Sequence, residues 1–172
     1  MIPSLDRPLD RAEAFFWMLD RCSSMNFAVM AEGRGELPPE ALATALARAQ
    51  AVHPALGCAI RAGPSGTLAF VPAPGHAVPL AQGPGDDDWR QPLVREMVRP
   101  FALGEAPLVR ARLVTLPGGR WVLSLVFHHA IADGRSGLRL LAEVVDEAMG
   151  GPAQSGAGGA RPSFFSRFPE AY

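Results

Sequence analysis

The sequence predicts one α+β domain. Two observations carry that prediction. The chain has 172 residues, the size of a single ordinary domain. Segments with helical spacing and segments with strand character both occur along it, in mixed order and with no internal repeat.

The elements follow in order. Asp10 and Glu13 have capping-box spacing. Ala14, Phe15, Met18, Leu19 and Cys22 then recur at helical spacing, which predicts a helix over 10–21 with the Met18–Cys22 stripe in the core. Residues 26–32 (NFAVMAE) predict a strand ended by Gly33-Arg34-Gly35. Pro38-Pro39 opens a helix to about Val52, with Leu42, Leu46 and Ala49 on one face. His53 precedes a proline and is pushed out of the helical region. Runs 58–62 and 67–72 flank Gly63-Pro64-Ser65-Gly66 as a hairpin. Residues 73–87 predict a loop. A helix over 88–98 follows, its positive end suited to Asp86, Asp87 and Asp88. Two strands, 108–116 and 121–127, join at Pro117-Gly118-Gly119. The second is nearly all apolar, as a strand buried on both faces should be. Leu138, Leu141, Val145 and Ala148 mark a helix over 136–149, with Ser136 as its expected N-cap. Residues 150–162 have linker composition, and 163–172, with three phenylalanines, are expected to be a tail or the start of a C-terminal subdomain absent here.

Composition excludes several function classes. Apolar residues make up 48% and charged residues 19%, which supports a packed core. Net charge is −1, so bulk electrostatics gives no nucleic-acid partner. All 16 basic residues are arginine, which removes a catalytic lysine, a Schiff base and a P-loop. Cys22 and Cys58 cannot build a zinc site or disulfide framework alone. Both lie among apolar residues and read as buried free thiols. There is no signal-peptide pattern at Met1–Arg11 and no apolar run of membrane-spanning length, so a cytoplasmic protein is expected.

The chemistry concentrates in residues 128–134, HHAIADG, between the buried strand and a helix. Such junctions place polar side chains at a sheet end, where sites are commonly built. Two imidazoles ending an apolar strand need partners. Asp133 is placed to fix the loop, by pairing an arginine or capping local amides. Gly134 gives backbone freedom or room for a ligand. Adjacent histidines on a strand point to opposite sides and do not readily share a metal ion. No G-x-S-x-G elbow marks a serine hydrolase. His53 and His76 read as solvated loop residues. On the residues alone, a functional site and a structural histidine pair both remain open.

HHAIADGRS resembles the H-H-x-x-x-D-G signature of the chloramphenicol-acetyltransferase-like superfamily. That group includes non-ribosomal peptide condensation domains, alcohol acetyltransferases, wax ester synthases and polyketide-associated acyltransferases. The flanks are similar as well, in the same order. LDRAEAFFWMLD is similar to the opening helix, and LPPEALATALARAQAVHPALGCAI to the second helix and its H-P-x-L turn. VRPFALGEAPLVRARLV is similar to the P-F-x-L … P-L-x-R-x-x-L segment. The resemblance covers residues 8–149.

It implies a two-layer α/β sandwich, a mixed sheet with helices on one face, forming the N-terminal subdomain over 1–149. It implies acyl transfer from a thioester, on coenzyme A or carrier-protein phosphopantetheine, to an alcohol or amine, with no tightly bound cofactor. His129 would be the general base. His128 and Asp133 would be structural, Asp133 through an arginine, and Gly134 would keep the tunnel open. Family members have a second subdomain across that tunnel, whose counterpart is not within these residues. Self-association, or a partner supplying that half, is therefore expected. A non-catalytic half-domain that binds a carrier protein or partner chain is the alternative. Condensation domains often carry arginine after H-x-x-L, where this chain has Gly57; that departure favours the alcohol and polyketide acyltransferases.

Overall fold

The computed structural model describes residues 4–85 and 89–151. The Asp86–Asp88 run and nearly all of the expected linker and tail lie outside the described residues.

The elements are β1 (Arg7–Pro8), α1 (Arg11–Leu19), β2 (Asn26–Arg34), α2 (Pro39–Val52), a 3-10 turn (Pro54–Gly57), β3 (Cys58–Ala62), β4 (Leu68–Pro72), β5 (Leu80–Pro84), α3 (Arg90–Val98), β6 (Val109–Leu116), β7 (Arg120–His128) and α4 (Gly134–Ala148). The main sheet has strand order β2-β7-β6-β5, antiparallel except for the parallel β5–β6 pair. A small antiparallel sheet, β1-β4-β3, stands beside it. This is the expected α+β sandwich with a mixed sheet.

β7 organises the core. Its residues Trp121–His128 are all buried, because both faces of the strand are covered. Trp121, Leu123, Leu125 and Phe127 face the cluster formed with Leu42 and Leu46 of α2 and Leu140, Leu141 and Val144 of α4. Val122 and Val126 face the other way, against Trp89 and Leu93 at α3. The two long helices thus share one face, and the short α3 covers part of the second. Two polar contacts join the long helices: the Arg48–Glu147 ion pair at 2.6 Å and His53 Nε2 to Glu143 at 3.1 Å. His53 is therefore paired rather than merely solvated, whereas His76 is exposed.

The helix starts follow local chemistry. At α1 the Asp10 side chain accepts from the amides of Ala12 and Glu13, and Glu13 accepts from the Asp10 amide. Arg7 then grips Glu13 through two bonds of 2.7 and 2.6 Å. That pairing compensates the buried Glu13 carboxylate.

Five expectations need correction. The α1 stripe is not core: Phe15, Met18 and Cys22 are exposed, while Trp17 and Glu13 turn inward. Only Cys58 is a buried thiol, and burial pushes it up to about 12 despite the Arg7 charge. Gly33 does not end β2, which pairs through to Arg34↔Arg120. The segment 73–87 contains β5 rather than only loop. Ser136 is not the cap of α4; Asp133 is, three residues earlier, and the helix begins at Gly134.

A candidate functional site at the end of the central strand

β7 ends on His128, which is paired with Asn26 at the start of β2. The strand's alternation then separates the two histidines. His128 lies on the side of the small cluster, with Trp17 5.0 Å and Phe101 6.2 Å from its ring. His129 lies against Phe16, stacked at 4.4 Å and 10°, and against Phe27 at 5.0 Å. His129 is half-buried, with its Nδ1 buried and without a hydrogen-bond partner among the described residues.

His128 is fully buried. Its Nδ1 accepts the Ala130 amide at 3.0 Å. Burial pushes its pKa down to about 4, against the opposing pull of Asp20. A neutral ring that accepts at Nδ1 carries its proton on Nε2. His128 is thereby a buried neutral ring that bonds the backbone of the turn at Ala130.

The turn is short and tied at both ends. The Ile131 amide donates to the His128 carbonyl, and the Gly137 amide to the Asp133 carbonyl. Asp133 Oδ1 accepts the Ser136 amide at 2.7 Å. Burial alone would raise the Asp133 carboxyl; the bonds from Ser136 outweigh it and hold the group below its usual range. Of the two roles open to it, Asp133 takes the amide cap. No arginine pairs with it among the described residues. Gly134 has a backbone any residue adopts, and an added Cβ would meet nothing within 4 Å. Its glycine is not demanded by this chain's own packing.

Sequence reasoning missed three contributors. Phe16 stacks on His129, yet in the run FFWM nothing distinguishes it from its neighbours. Asp20 places its Oδ2 4.0 Å from His128 Nε2. Arg110 is buried over the Phe101 ring at 3.7 Å and bonds Arg99 and Pro100 carbonyls and Glu105. It pins the Pro100-Phe101 segment beside His128. An arginine at a strand position between buried Val109 and Ala111 was the available signal.

Known proteins bear on this geometry. Tyrocidine synthase 3 of Brevibacillus parabrevis is 40% identical over 77 residues, covering 45% of this chain and 1% of that protein. Surfactin synthase subunit 2 of Bacillus subtilis (strain 168) is 46% identical over 43 residues, 25% of this chain and 1% of that protein. Among solved structures, the first condensation domain of the calcium-dependent antibiotic synthetase superimposes with a TM-score of 0.74 at 23% identity. It covers 91% of this chain and 41% of that one. The X-domain in its complex with OxyB from teicoplanin biosynthesis gives 0.71 at 26% identity, covering 83% and 33%. The chain thus spans about a hundredth of the curated relatives it matches and well under half of these structures. The model of the family described as Condensation domain matches residues 14–146. Gly57 therefore does not set the chain apart as its sequence suggested, and the chain belongs to the condensation domain family.

Proposed function

We propose that this chain supplies the catalytic histidine of a condensation reaction between two carrier-bound substrates. The amine of an acceptor attacks the thioester carbonyl of an acyl donor held on phosphopantetheine. An amide bond forms, and the donor thiol leaves. His129 takes the proton of the attacking amine and returns one to the departing thiolate, so no acyl-enzyme is needed. The family favours carrier-protein thioesters over coenzyme A as donor, and an amine over an alcohol as acceptor. His128 and Asp133 hold the turn, and the open space before Gly134 leaves an approach for the pantetheine arm.

The observation that carries this reading is the setting of His129. Its ring is packed against two aromatic rings at the end of the central strand, half-buried, and bonds no polar side chain among the described residues. A general base needs that combination of fixed orientation and spare nitrogen. In the complete protein that contains this chain, His129→Ala should lower amide formation between two loaded carrier proteins by about 10²-fold or more. Turnover at the parent rate would overturn the reading.

The similarity to the X-domain, seen in complex with OxyB, favours a second reading: a docking unit without chemistry of its own. That reading expects His129→Ala to leave both partner binding and product formation untouched.

A further inference from the structure

Asp20 stands at the C-cap of α1, the negative end of the helix dipole, where a carboxylate is unfavourable. Its side chain is nevertheless 7% exposed. A group placed at cost in both respects asks for compensation, and the compensation lies in the histidine turn. Asp20 Oδ1 accepts the Met25 amide at 2.6 Å. The Met25 carbonyl in turn accepts the His129 amide at 3.1 Å. Asp20 Oδ2 faces His128 Nε2 at 4.0 Å, longer than a hydrogen bond but within strong electrostatic reach. That Nε2 is buried and has no hydrogen-bond partner among the described residues. Because Nδ1 accepts the Ala130 amide, Nε2 is the nitrogen that bears the proton, and its positive edge points at a carboxylate.

We propose that Asp20 is a positioning residue for the site: one carboxylate fixes the tautomer of His128 and, through Met25, the backbone of His129. Its effect on turnover rests on the acyl-transfer reading; its effect on the two histidines does not. An unfixed His128 that moved its proton to Nδ1 would set donor against donor at the Ala130 amide and push the turn apart. The titratable neighbours acting on the ring are Asp20 and His129.

Nitrogen NMR of the imidazoles in the labelled chain tests this. His128 should show the Nε2–H tautomer without titrating between about pH 5 and 8. In Asp20→Asn the amide keeps an oxygen for Met25 and turns an N–H toward the His128 proton. His128 should then lose its single tautomer, and the His129 backbone amide resonance should move. An unchanged tautomer and an unchanged His129 amide in folded Asp20→Asn would overturn the proposal. Should that variant not fold, Asp20→Ser is read for the same two resonances: a changed His128 tautomer or a moved His129 amide upholds the proposal, and both unchanged overturns it. In the complete protein, Asp20→Asn should cut the turnover number by about tenfold to a hundredfold, with KM for the carrier proteins unchanged. Parent turnover in Asp20→Asn would overturn the positioning role. Parent turnover in His129→Ala would instead sink the acyl-transfer reading and leave the NMR result standing.

Discussion

The three polar members of the histidine turn sit in three different settings, and each predicts a distinct response. His128 is buried as a neutral ring with a pKa near 4. The unfolded chain restores an ordinary imidazole near 6.5. The folded state therefore binds fewer protons than the unfolded one between those values. Stability should be intact above pH 6.5 and fall as pH drops toward 4, by an order of 3 kcal/mol. His128→Gln, which cannot protonate, should flatten that limb in urea unfolding measured from pH 7 to 4.5. An undiminished slope would show that His128 is not the group responsible. Asp133 acts by its cap. Asp133→Ala should cost about 0.5–2 kcal/mol, and Asp133→Asn, still a good cap, only a few tenths. Thermal melts separate the two; equal losses would mean that charge rather than the amide bond matters. His129 is the third member; its Nδ1 is buried without a hydrogen-bond partner among the described residues, and turnover of His129→Ala is the test of the role proposed for it.

Elements were legible where the sequence carried period and punctuation together. β7 showed itself as an unbroken apolar run. The α1 start showed itself through Asp10 and Glu13, because a capping box is a local rule that tertiary packing rarely overrides. β5 had no such signal. Leu80–Pro84 contains glycine and proline, and only Leu80 and Gly83 are half-buried, so its strand character comes from the parallel edge of β6 rather than from its own residues. The α1 face was misread because apolar spacing shows which side is apolar, not what covers it. Gly33 was misread as a stop because the bulk it accommodates lies on another strand. An added Cβ there would collide with the Trp121 ring, and glycine inside a strand often marks such an approach. Gly33→Val should therefore destabilise the chain by about 1–3 kcal/mol through displacement of a buried indole. Gly83→Ala in β5, where an added Cβ meets nothing within 4 Å, serves as the control and should be neutral or mildly stabilising. Equal effects in denaturant melts would remove the Trp121 explanation.

At the scale of the whole molecule, the site stands beside apolar surface. Phe15 and Met18 lie three residues apart on α1 and are 58% and 64% exposed. Phe15 meets the edge of Phe16, the ring that stacks on His129. Single exposed apolar side chains are ordinary, but a pair on one helix face adjoining a half-buried aromatic cluster is a surface that water disfavours. Repulsion does little to keep copies apart, because the net charge is only −1. The 172-residue chain in isolation should therefore associate at micromolar concentration, with a weight-average mass that rises with concentration in light scattering. Phe15→Gln with Met18→Gln should return it to the monomer mass. Both positions are exposed on a helix that tolerates glutamine, so the melting temperature should stay within the small range usual for surface changes. A parent chain that remains monomeric across that range would show that this face needs no cover. Association that survives the double substitution would move the contact away from α1 and the His129 side of the molecule.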